Sequence, residues 1–98
     1  MTMDELIHEF ANEIADADGH VYTARAMGRR RKGRTVWESW LEFTPVGGRG
    51  MVRRSQIETT QPNREALAYW ASGIEPVYLE GALERAIAAR SDPRARSG

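Results

Sequence analysis

Five of the six residues in Arg29-Arg30-Arg31-Lys32-Gly33-Arg34 carry a fixed positive charge. A glycine inside so polar a run reads as a turn, and β-prone stretches flank it on both sides. A two-stranded ribbon with a basic tip can enter a major groove or lie along phosphates. Arg49, Arg53 and Arg54 extend that patch if the next strand returns beside the second. Tyr22 or Trp40 then offers an aromatic face on which a base can stack. Opposing this reading, the chain as a whole is neutral, whereas the usual footprint of a nucleic-acid binder is a basic domain. The bland alternative is a solvated turn.

No comparable case exists for catalysis or metal binding. His8 precedes Glu9, but no second histidine follows at the spacing of a zinc helix. Asp16-Ala17-Asp18-Gly19-His20 has the start of a calcium loop and lacks its third acid and distal glutamate. The chain has no cysteine, which removes disulfides, thiolate metal sites and thiol nucleophiles. No serine sits in a nucleophile elbow. Gly47, Gly48 and Gly50 precede no Lys-Ser/Thr pair, so they read as a hairpin turn and not a phosphate loop. The sequence therefore predicts no catalytic residue, no metal ligand and no cofactor, and a binding module in place of an enzyme.

The charges are unevenly spread. Residues 1–20 hold six acids and no Lys or Arg, while residues 21–54 hold nine bases against Glu38 and Glu42. Such polarity bears on partners and association, not on fold. The acidic segment could be a solvated face, a shield over the basic strands, or a hook onto a second copy that makes a homodimer.

These residues must be positioned by elements of an α+β domain. Met3, Ile7, Phe10 and Ile14 recur at helical steps, so the spacing predicts an acidic N-terminal helix within 1–19, closed by Gly19. Residues 20–57 read as a three-stranded antiparallel meander: Val21 to Met27, Thr35 to Thr44, and Met51 to Ile57. In the second strand Trp37, Ser39, Leu41 and Phe43 share one face. Trp40 falls on the other, between Glu38 and Glu42. A tryptophan there is covered by the first helix, or by a partner at an interface, with Arg25 placed for a cation–π contact. Residues 63–90 read as two helices. One starts near Asn63, carries Leu67, Trp70, Ala71 and Ile74, and ends at Gly73; the other opens on Pro76 and carries Leu79, Leu83, Ala86 and Ile87. Gly81 inside the latter suggests close packing against another backbone. The order is α-β-β-β-α-α, one domain over 1–90, with a disordered tail at 91–98. The expected core is Trp37, Leu41, Phe43, Trp70, Leu79 and Leu83.

No apolar run approaches the roughly 20 residues of a membrane span. The acidic start lacks the bases of a secretory signal, and with no cysteine the expectation is a cytoplasmic protein. Four stretches, Val36-Trp37-Glu38-Ser39-Trp40-Leu41-Glu42-Phe43, Glu58-Thr59-Thr60-Gln61-Pro62-Asn63, Tyr69-Trp70-Ala71 and Glu75-Pro76-Val77-Tyr78-Leu79-Glu80-Gly81-Ala82-Leu83, together resemble a group of small uncharacterised bacterial proteins. The resemblance spans roughly residues 20–89, implies a bacterial origin and carries no activity. Two functions follow from the residues themselves. One is nucleic-acid contact through Arg29, Arg30, Arg31, Lys32, Arg34, Arg49, Arg53 and Arg54. The other is protein interaction or dimerisation through Trp40, Tyr22 and the acidic segment.

Overall fold

The structure, a computed structural model, describes residues 3–91, and side chains through residue 89. It is an α+β domain: an antiparallel sheet with two helices on one face. The elements are β1 (Glu5–Glu9), β2 (Ile14–Ala15), β3 (Val21–Arg30), β4 (Trp37–Pro45), β5 (Arg53–Arg54), β6 (Thr59–Gln61), α1 (Arg64–Ser72) and α2 (Pro76–Ser91). The long β3–β4 hairpin is the spine. One broken strand, β1 then β2, lines the free side of β3, and a second, β5 then β6, lines the free side of β4.

The expected N-terminal helix is instead β1 and β2. A bulge between Leu6 and His8 inserts Ile7 into the ladder, since Leu6 opposes Met27 while His8 opposes Ala26. The bulge changes the alternation of inward side chains. Ile7 and Phe10 reach the core, the chain bends, and Ile14 is buried opposite Tyr22. A bulge and a bend thus reproduce the 4-3-4 spacing of an amphipathic helix.

β3 alternates cleanly, with Tyr22, Ala24, Ala26 and Gly28 buried and Val21, Thr23 and Arg25 exposed. It runs three residues beyond its expected end. β4 buries Ser39, Leu41 and Phe43 as their spacing predicts, and Pro45, which has no N–H for the ladder, is its last residue. The third expected strand, 51–57, is displaced and divided. Arg53 and Arg54 pair with Phe43 and Glu42, and Thr59 to Gln61 pair with Ser39 to Trp37. Between them Ser55 bridges the gap. Its N–H donates to Leu41 O at 2.8 Å, and its Oγ accepts from Leu41 N–H at 2.9 Å. One hydroxyl replaces a ladder carbonyl, so the chain swings out at Gln56–Ile57 and rejoins where Glu58 N–H donates to Ser39 O.

α1 and α2 follow their sequence signals. The Asn63 side chain caps α1 by accepting from Ala66 N–H at 2.8 Å, Gly73 closes it, and Pro76 opens α2. Ala71, Leu79, Ala82 and Leu83 are buried against Ala24, Ala26, Leu41 and Phe43, and Leu67 and Ala86 are buried as well. Two core expectations fail, because Trp37 and Trp70 are only half-buried. Gly81 also differs from its reading: a Cβ there would meet only the Arg85 guanidinium, at 3.5 Å. The close approach lies at Gly28, where a Cβ would come 2.7 Å from Leu67 Cδ2 and 2.9 Å from Ile7 Cγ1. The expected tail over 91–98 falls outside the described residues except for Ser91, the last residue of α2. Among the described residues no helix is long and apolar enough to cross a membrane.

Candidate nucleic-acid interface

The basic run forms the β3–β4 hairpin tip. Arg31 N–H donates to Val36 O and Arg34 N–H to Arg31 O, while Gly33 takes φ 75°, a left-handed conformation that glycine adopts without strain. Arg30, Arg31, Lys32 and Arg34 are exposed. The last ladder pair is Arg30 with Trp37, whereas β1 reaches only Gly28. The loop from 31 to 36 therefore projects past the end of β1.

Strand pairing decides which of the remaining bases belong to this patch. Arg29 opposes Glu38 and Arg25 opposes Glu42 on the sheet face away from the helices. Arg29 Nε donates to Glu38 Oε1 at 2.9 Å, and Arg31 Nε lies 4.0 Å from Glu38 Oε2. Asp4 sits 3.9 Å from Arg29, and Arg25 pairs with Glu42 at 3.4 Å. Arg54, opposite Glu42, shares this open face. Arg53, one residue earlier, is opposite Phe43 on the helix face, and its Nε is buried with no hydrogen-bond partner among the described residues. Arg49 lies in the β4–β5 loop beside His20 and Val21, about 25–30 Å from the tip at ~3.3 Å per strand residue. The eight expected contact residues thus divide. Arg29, Arg30, Arg31, Lys32 and Arg34 cluster, Arg54 stands farther down the same sheet, and Arg49 and Arg53 are elsewhere.

Trp40 is wholly buried although no helix covers it. Among the described residues, two arginines lie over its ring. Arg54 Cζ lies 4.3 Å and Arg29 Cζ 5.1 Å from the ring centroid, and the indole Nε1 donates to Glu42 Oε2 at 3.1 Å. The expected roles of the first helix and of Arg25 as its cover are both replaced. Tyr22 is buried as well, with its hydroxyl donating to Asp16 Oδ2 at 3.3 Å. Neither aromatic is an exposed interaction residue in this state.

The acid cluster at the other end builds a turn. Asp16, Asp18 and His20 bring ligand atoms within 4.8 Å of one another. Asp16 Oδ1, however, accepts the Asp18 and His20 backbone N–H groups at 2.9 Å each, and its Oδ2 faces His20 Nδ1. Burial works against the charged carboxylate; the two backbone donors and His20 outweigh it and hold the group below its ordinary value. Beside α2, Glu58 Oε1 accepts from the Tyr78 hydroxyl and from Arg85 Nη2. Burial, then Glu58, pushes the Tyr78 hydroxyl up. Sequence reasoning passed over Glu38 and Glu42 as partners of the basic patch. The signal that finds them is hairpin counting: a turn centred near Gly33 sets Arg29 against Glu38 and Arg25 against Glu42. No family model matches the chain, and no curated protein or solved structure matches it.

Proposed function

We propose that this chain is a small, non-enzymatic binding module of a bacterial cytoplasm that contacts nucleic-acid phosphates through the β3–β4 hairpin tip. The observation that carries the reading is the cluster of four exposed cations, Arg30, Arg31, Lys32 and Arg34, on a loop that projects past β1. Among the described residues only Arg31 of these four has an acid within ion-pair distance, at 4.0 Å. All but one of the chain's 14 bases are arginine, Lys32 being the exception. Guanidinium groups fork onto phosphate oxygens more specifically than ammonium groups do. Replacing Arg30, Arg31, Lys32 and Arg34 together by Ala should weaken binding of labelled DNA or RNA without unfolding the domain. The salt dependence should flatten by roughly 0.9 per lost contact on duplex and 0.7 on a single strand. A wild type that binds neither duplex nor single strand at low salt overturns the reading.

One observation favours a second reading, a protein-interaction or dimerising module. Between α1 and α2 lies an open groove of about 540 Å³, with Tyr69 and Val77 on its rim at 84% and 71% exposure. Exposed apolar groups gathered in one place are a feature of interaction surfaces. Sedimentation of the wild type and of a Tyr69→Ser, Val77→Ser variant tests the homodimeric form, which a monomeric wild type excludes.

A further inference from the structure

The open sheet face presents Arg25, Met27 and Arg29 from β3, Glu38, Trp40 and Glu42 from β4, and Arg54 from β5. An aromatic ring at the middle of an uncovered sheet, flanked by cations, has the components of a stacking platform for single-stranded nucleic acid. Here the ring is occupied. Arg54 closes it from the edge strand at 4.3 Å, is itself exposed, and has no acid within ion-pair distance among the described residues. Arg29, by contrast, is anchored to Glu38.

We propose that this face is a single-stranded nucleic-acid site held shut by Arg54: a phosphate draws the guanidinium away, and a base takes its place on Trp40. The inference rests on the phosphate-binding reading of the hairpin tip and specifies which nucleic acid the domain prefers. The exchange is close to balanced on the ring, and the phosphate tips it. Trp40 is buried, and a guanidinium over a desolvated ring contributes roughly thirtyfold, against roughly two- to fivefold at an exposed one. A base on the same ring contributes roughly 5- to 150-fold. The displaced Arg54 keeps a counter-charge, because it moves from the indole to the phosphate that displaced it. Met27 and Arg29 remain beside the ring, and Glu42 still accepts from its Nε1. A duplex, whose bases are already stacked on each other, offers the ring nothing, so the site discriminates by strandedness and not by sequence.

The test uses an oligothymidylate about a dozen nucleotides long and an abasic strand of equal length, which supplies phosphates without bases. In a chain carrying Trp37→Phe and Trp70→Phe, Trp40 is the only tryptophan, and excitation at the red edge of the indole band leaves Tyr22, Tyr69 and Tyr78 silent. Oligothymidylate should quench it and the abasic strand should not. On the otherwise unaltered chain, oligothymidylate should bind roughly 5- to 150-fold tighter than the abasic strand, and Trp40→Leu should erase that difference. Arg54→Ala should red-shift Trp40 emission in the free protein, because the ring loses its cover. Equal affinity for both strands with unchanged emission overturns the stacking site and leaves the hairpin–phosphate reading intact. No binding of either strand at low salt overturns both. An Arg54→Ala spectrum identical to that of the parent overturns Arg54 as the cover, whatever the ligand does. If the doubly substituted chain does not fold, the affinity ratio on the unaltered chain decides.

Discussion

Glu38 faces Arg29 directly across the β3–β4 ladder and accepts its Nε–H at 2.9 Å, while its other oxygen lies 4.0 Å from Arg31. One carboxylate thus occupies the place a phosphate would take between two guanidinium groups. Glu38→Gln should free both arginines, tighten binding to any polyanion and steepen its salt dependence. The change in stability should be about 1 kcal/mol, because the arginine side chains are 39% and 54% exposed and screen the pairs, although Glu38 itself is only 16% exposed. Titration at two salt concentrations checks the first expectation, and an unchanged slope means that Arg29 and Arg31 do not meet the ligand.

Gly28 is the point where sheet and helix touch. A methyl group there would come 2.7 Å from Leu67 Cδ2 and 2.9 Å from Ile7 Cγ1, both packed in the core. Gly28→Ala should cost roughly 1–3 kcal/mol through overpacking. Gly33→Ala meets no neighbour, so any loss there comes from its positive φ alone. Urea denaturation of the two variants separates the causes.

Leu83 is fully buried between α2 and the sheet. Leu83→Ala should cost roughly 2–5 kcal/mol. A loss below about 0.5 kcal/mol in reversible denaturation, the range of surface substitutions, would place α2 outside the cooperative core.

Asp16 gives the fold an acid dependence. Its folded-state carboxyl lies below the ordinary value of 3.8, so its contribution is present above that value and is lost as pH falls through the folded one. Asp16→Asn keeps an oxygen acceptor for the turn and removes the titration. Wild type should be the more stable at neutral pH, and the gap should narrow below about pH 4. A gap that stays constant from pH 7 to pH 2 would mean that the carboxylate charge contributes nothing to the turn.

The sequence is legible where a local signal controls the outcome. Asn63, Gly73 and Pro76 punctuate α1 and α2 at the expected places, and alternation in β4 assigns Ser39, Leu41 and Phe43 to the core. It misleads where irregular backbone reproduces another period, as Ile7, Phe10 and Ile14 do in the broken strand β1–β2. The basic tip is visible in composition alone, but its extent is not. Arg53 and Arg54 are neighbours in sequence and lie on opposite faces, because strand side chains alternate. Trp40 shows the limit of polarity as a guide. Flanked by Glu38 and Glu42 it reads as a surface residue, yet the aliphatic stems and planar heads of Arg29 and Arg54 can cover an indole as a hydrophobic layer does.

The interrupted outer strands also affect how copies of the chain meet. A free sheet edge is a template for fibril growth when it offers a long, flat row of unpaired amides. Here one border is bulged at Ile7 and broken between β1 and β2, and Arg64 Nη2 donates to the Leu6 carbonyl there. The other is cut by the excursion at Gln56–Ile57 into pieces of two and three residues. Neither border gives an incoming strand enough consecutive partners to extend the sheet, so the irregularities that disguise the fold in the sequence also guard a half-open sheet against amyloid-like stacking.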